Sequence, residues 1–179
     1  MKSLKAGKIS ALLTAAVLVL VMTVTMSATA FAASVTKDGA RDIALRNAGL
    51  TSSQVKRIEI EYESDEGVYE IEFVRKSNKA EYSYDISASD GKILEKSVEY
   101  VYKHNSSKKK IGKTAAMKKV ARNSSFTYAQ IKKGTCTYKY SDGEGIYTIR
   151  LKSGGKRYEY EVLAPTGKLI EHEWEVLNR

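Results

Sequence analysis

The sequence repeats itself, and that limits its folds more than any composition figure. At an offset of 76 residues, Val35–Val55 lies over Ile111–Ile131. Lys37 then meets Lys113, Ala40 meets Ala116, Arg46-Asn47 meets Arg122-Asn123, Thr51 meets Thr127 and Gln54 meets Gln130. At offset 78, Glu66-Gly67-Val68-Tyr69-x-Ile71 meets Glu144-Gly145-Ile146-Tyr147-x-Ile149. Back at 76, Tyr82-x-Tyr84-x-Ile86-x-Ala88-x-x-Gly91-Lys92 meets Tyr158-x-Tyr160-x-Val162-x-Ala164-x-x-Gly167-Lys168. Two copies are too few for a solenoid, so the reading is a duplicated small domain.

Each copy reads alike. The spacing of Ala40, Ile43, Ala44 and Ala48 predicts a helix over 37–48, with Thr36 as N-cap and Gly49 as stop, and a second helix over 113–123. Stretches of period two follow. Ile58, Ile60 and Tyr62 alternate with Glu59, Glu61 and Glu63; Tyr69, Ile71 and Phe73 alternate with Glu70 and Glu72; Tyr82, Tyr84 and Ile86 follow the same rule. In the second copy the inward sets are Cys136, Tyr138, Tyr140; Tyr147, Ile149, Leu151; Tyr158, Tyr160, Val162; and Ile170, His172, Trp174, Val176. Alternation with one apolar side means a sheet buried on one face. Asp90-Gly91 and Thr166-Gly167 mark tight turns. The expected class is α+β: two tandem small domains, over 36–102 and 111–179, each an N-terminal helix packed on an antiparallel meander of three to four strands. Residues 103–110, with Lys103 and Lys108–Lys110, read as a basic linker. Neither copy reaches 80 residues, so each core is marginal alone.

Residues 1–32 read as an address. Lys2, Lys5 and Lys8 precede an apolar run from Ile9 to about Met26, and the small residues Ala30-Phe31-Ala32 suit cleavage after Ala32. The alternative is an uncleaved membrane anchor. Either way the expected location is exported, extracellular or in the cell envelope. The chain's formal charge of +9 then divides unevenly: +3 over residues 1–36, −4 over 37–102 and +10 over 103–179. The expectation is an acidic module and a basic one that attract each other. Export argues against a nucleic-acid partner, and most of the 12 tyrosines fall on the inferred core side.

The copies resemble the PepSY domain family over about 36–101 and 111–177. The resemblance rests on the Ala-rich helix ending Gly49-Leu50, the Gly67–Phe73 strand, and above all Tyr82-Ser-Tyr-Asp-Ile-Ser-Ala-Ser-Asp-Gly-Lys-Ile-Leu94. The second copy departs where Ser124-Ser125-Phe126 replaces Ala48-Gly49-Leu50. The family occurs in propeptides of thermolysin-like metallopeptidases and in many exported bacterial proteins. The resemblance implies a non-catalytic module that binds and modulates or inhibits a secreted or cell-surface peptidase, or another exported protein. The alternative is an envelope protein that binds an anionic polymer or membrane surface through its basic second copy.

No catalytic, cofactor or metal site is nominated, no small-molecule substrate is implied, and the binding residues stay open. Gly112-Lys113-Thr114 lacks the earlier glycine of a phosphate loop. Cys136 shares the side of Tyr138 and Tyr140, so it is expected in the core. His172-Glu173-Trp174 is expected in an amphipathic edge strand, and two histidines are too few for a metal centre on their own. Glu59, Glu61, Glu63, Glu70 and Glu72 form a solvated face or, more sharply, a docking surface for a cation or basic partner.

Overall fold

Helix α1 (Lys37–Ala48) opens the fold in the computed structural model, which describes residues 35–177. The expected signal segment lies outside these residues. The Thr36 side chain accepts from the Gly39 N–H at 3.1 Å, and Gly49 closes α1 at φ 66°, a conformation glycine adopts without steric cost. A 3-10 turn (Ser52–Gln54) leads into β1 (Val55–Glu63), β2 (Val68–Arg75), β3 (Glu81–Ser87) and β4 (Ile93–Glu99). After the linker come α2 (Lys113–Arg122), a one-turn α3 (Tyr128–Ile131), then β5 (Thr135–Ser141), β6 (Glu144–Ser153), β7 (Lys156–Leu163) and β8 (Lys168–Val176). No helix among the described residues is long and apolar enough to cross a membrane.

The period-two residues form two cores, one under each helix. Ala40, Ala44 and Leu45 of α1 meet Ile71, Phe73, Tyr84 and Ile86. Ala116 and Val120 of α2 meet Ile131, Tyr147, Ile149, Tyr160 and Val162. Equivalent details recur in both halves. Val35 N–H donates to the Ala88 carbonyl and Ile111 N–H to that of Ala164, both at 3.0 Å. The register slips once between β3 and β4, after Asp85, and once between β7 and β8, after Glu161.

The α+β class and the helix-on-meander halves match expectation, but two separate sheets do not form. All strands join in one antiparallel sheet, ordered β1-β2-β3-β4-β8-β7-β6-β5. The joint is the β4–β8 ladder. Its centre pairs Ser97 with Glu173, flanked by Lys96–Trp174 and Val98–His172. Ser97 and Glu173 are 76 residues apart, the offset of the repeat, so equivalent residues face each other. The halves are thus related by a pseudo-twofold axis through this pair, the arrangement of an isologous dimer within one chain. One consequence differs from expectation. Strand β8, which carries His172 and Trp174, is central and not an edge. Across the joint itself like charges meet, since Glu95 faces Glu175 and Glu99 faces Glu171, and no acid stands opposite a base in that ladder.

Candidate functional site

Both helices lie on one side of the sheet, so the alternate residues of every strand face outward on the other. Cross-strand register turns that alternation into rows. One runs Glu59–Glu72–Ser83–Ser97–Glu173–Glu159–Arg150. The next runs Glu61–Glu70–Asp85–Glu95–Glu175–Arg157. A third runs Glu81–Glu99–Glu171–Glu161–Thr148. The result is one acidic face from β1 to β7, crossing the joint between the halves. Glu59, Glu61, Glu70 and Glu72 line a shallow open trough at its β1–β2 end.

Like charges directly opposite each other across strands are destabilising. Burial, reinforced by neighbouring carboxylates, holds Glu70, Glu72, Glu99, Glu161 and Glu173 above the usual carboxylate range. Glu171, half-buried near Glu161, Glu99 and Glu173, is pushed up to about 8, first by burial and then by those charges. Cations reach the face at its second-half end. Arg150 grips Glu159 through two bonds of 2.6 and 2.7 Å, and Arg157 Nη2 lies 2.8 Å from Glu175. The field is therefore most negative toward β1, β2 and β3.

The other candidate residues are not assembled for catalysis. Cys136 is partly buried on β5, packed against the second core, and burial pushes its thiol up. A reactive thiol needs the opposite shift and a nearby base. His172 is no such base, since β7 and β6 separate β8 from β5, about 14 Å at the usual strand spacing. His172 lies between the rings of Tyr100 and Tyr160, with its Nδ1 3.3 Å from the Tyr100 hydroxyl. Burial, then Lys96, pushes it down to about 4. Gly112-Lys113-Thr114 simply opens α2, with Gly112 at φ 81°. Among the described residues, no group of three or more His, Cys, Asp or Glu is arranged to hold a metal ion.

The linker is more than a solvated tether. Glu144, at the start of β6, is a buried carboxylate at 8% exposure. Its Oε1 accepts from the Asn105 N–H at 2.9 Å and lies 2.7 Å from His104 Nδ1, and its Oε2 accepts from the Tyr102 hydroxyl at 2.9 Å. Lys110 Nζ stands 4.4 Å over the Tyr138 ring, and Tyr140 donates its hydroxyl proton to the Ser106 carbonyl. The strap is thus fastened to the edge of the second half.

These features define a class: a helix-backed sheet with a broad charged face and no assembled catalytic set among the described residues. Residues 34–96 match the family model PepSY, described as peptidase propeptide and YPEB domain. The Streptococcus pyogenes serotype M6 protein Spy1430 is 42% identical over 65 residues, which are 35% of this chain and 48% of that protein; the match spans about half of the relative's length. Two solved structures overlay loosely. The Bacillus megaterium YpeB C-terminal domain covers 77% of this chain and 62% of its own, at 17% identity and a TM-score of 0.42. A Staphylococcus aureus cysteine-rich secretory protein covers 75% and 43%, at 15% identity and a TM-score of 0.33. PepSY domains occur in exported proteins and are in general non-catalytic modules.

Proposed function

We propose that this chain is an exported, non-catalytic binding protein with two PepSY-type halves, and that it slows or restrains a secreted or cell-surface peptidase. The observation that carries the reading is the acidic sheet face, which is open, extended and rigidly backed by two cores. A partner with a basic surface gains long-range attraction to it and neutralises carboxylates that otherwise repel one another. The contact is noncovalent, so inhibition should be reversible and weaken with salt. The test is hydrolysis by peptidases of the same secreted fraction, titrated with the purified chain. Dose-dependent slowing is expected; unchanged rates across the fraction count against the reading.

A second reading has its own support. Lys113, Lys118, Lys119, Arg122, Lys132 and Lys133 are exposed on and beside α2 and α3, away from the acidic face. An anionic envelope polymer would be drawn there. On that reading, replacing Lys108–Lys110 and Lys113 by Gln lowers the salt needed to elute the chain from an anionic resin. Elution at the same salt removes it.

A further inference from the structure

The β4–β8 joint covers two strand edges and leaves two others, β1 and β5, at the ends of the sheet. Among the described residues, no hydrogen bond joins the backbone of Glu59–Tyr62 or Thr135–Ser141 to anything but the inner neighbour. An outer strand with open backbone groups is a template for another strand. Neither strand contains proline, and β5 pairs with β6 without a slip over all seven of its residues. β1 has one irregularity, between Lys56 and Glu59, where Arg57 takes φ 52°; from Glu59 to Glu63 it is regular. Of the large apolar side chains left exposed among the described residues, Tyr62 stands on β1 at 49% and Tyr140 on β5 at 40%.

The two ends also differ in charge. Past the slip, β1 carries Glu59, Glu61 and Glu63, and β2 adds Glu70 and Glu72. β5 and β6 carry Lys139, Arg150 and Lys152, and Lys132 and Lys133 come just before β5. The acid of β6, Glu144, is taken up by the strap. Pairing β1 with β1 of another copy sets glutamates against glutamates, which is unfavourable. Pairing β1 with β5 does not. Every neighbouring pair in the eight-stranded sheet is antiparallel, so β1 and β5 run in opposite directions. A copy displaced along the sheet, with its helices on the same side, therefore meets β1 with an antiparallel β5.

We propose that β1 of one chain pairs with β5 of a second copy, so that the sheet continues head to tail. The regular stretch Glu59–Glu63 then lies against Thr135–Lys139. On the outward face Glu59 meets Lys139, while Glu61 and Glu63 meet Thr137 and Thr135. On the helix side Ile60 and Tyr62 meet Tyr138 and Cys136. Past the ladder, Lys133 comes toward Asp65. The contact joins two different surfaces, so it does not close in a pair, and each added copy leaves one β1 and one β5 free. The proposal uses strand edges alone and stands independently of the peptidase reading.

Sedimentation velocity of the purified chain over a concentration series, at low and high salt, tests the pairing. Low salt should give dimers, trimers and larger species that grow with concentration, and high salt should shift the series toward monomer. Lys139→Glu should weaken association about fivefold, and Glu59→Lys added to it should restore most of the loss. Both side chains are exposed, so neither change threatens the fold. Tyr62→Cys places a thiol opposite Cys136 of the next copy. Within one chain the two lie seven strand spacings apart, ~33 Å, and cannot bond. Mild oxidation of that variant should give a ladder of three or more linked chains that a reducing agent dissolves. A single species at every concentration, association that stops at a dimer, association indifferent to Lys139→Glu, or an oxidised Tyr62→Cys variant with nothing beyond dimers overturns the proposal.

Discussion

At the scale of single residues, Glu144 shows what the sequence could and could not disclose. Its partners Tyr102, His104 and Asn105 lie about 40 positions upstream, with separations of 42 and 39 for the two hydrogen bonds to Tyr102 and Asn105. No periodicity links such residues, and in the sequence Glu144 is one more turn carboxylate. Once folded, its carboxylate accepts from the Tyr102 hydroxyl and the Asn105 N–H, both part-buried. Glu144→Ala should therefore cost about 1–3 kcal/mol, because it strands those donors without replacement. The expected result is a lower urea midpoint with an unchanged slope; an unmoved midpoint shows that the strap contributes nothing. Cys136 is the opposite case. Its place on the apolar side was legible from alternation with Tyr138 and Tyr140, and it does pack against the core, partly buried.

At the scale of elements, alternation revealed the strands and which side of each was buried. Thr36 and Gly49 revealed the ends of α1. The joint was not legible, because alternation assigns faces and says nothing about which edge finds a partner. The stretch that became β4 is half-buried along most of its length, and its sequence is the least regular of the first four. Missing that joint also hid most of the acidic face. Glu59, Glu61, Glu63, Glu70 and Glu72 could be seen together in sequence, but Glu99 and Glu171 become neighbours only when β4 pairs with β8. That pairing has a pH signature. Glu171 binds its proton more tightly folded, at about 8, than unfolded, so this contribution to stability is lost as pH rises toward and through 8. His172 acts in the other direction, but with a folded value of about 4 its contribution is complete above the ordinary histidine range, near pH 6.5. Between about pH 6.5 and 8.5 the carboxylate effect therefore dominates. The melting temperature should fall across that window, and Glu171→Gln should flatten the decline. An equal slope in the variant contradicts the placement of Glu171.

At the scale of the whole molecule, the formal charge of +9 describes neither surface. Acidic side chains spread across one face of a sheet that both halves build, while much of the second half's basic charge lies in its linker and helical layer. The β4–β8 pairing makes the platform continuous: each half brings a strand edge that the other covers, which also removes two exposed edges that would invite aggregation. The central claim is that this platform docks a basic partner and restrains a peptidase. Its most direct test is the rate of peptidase hydrolysis in the secreted fraction with the wild-type chain and with Glu61→Lys/Glu70→Lys, at low and high salt. The account predicts slowing by the wild type that is strongest at low salt and greatly reduced in the variant. Equal rates with and without the chain, or equal slowing by both forms, would contradict it.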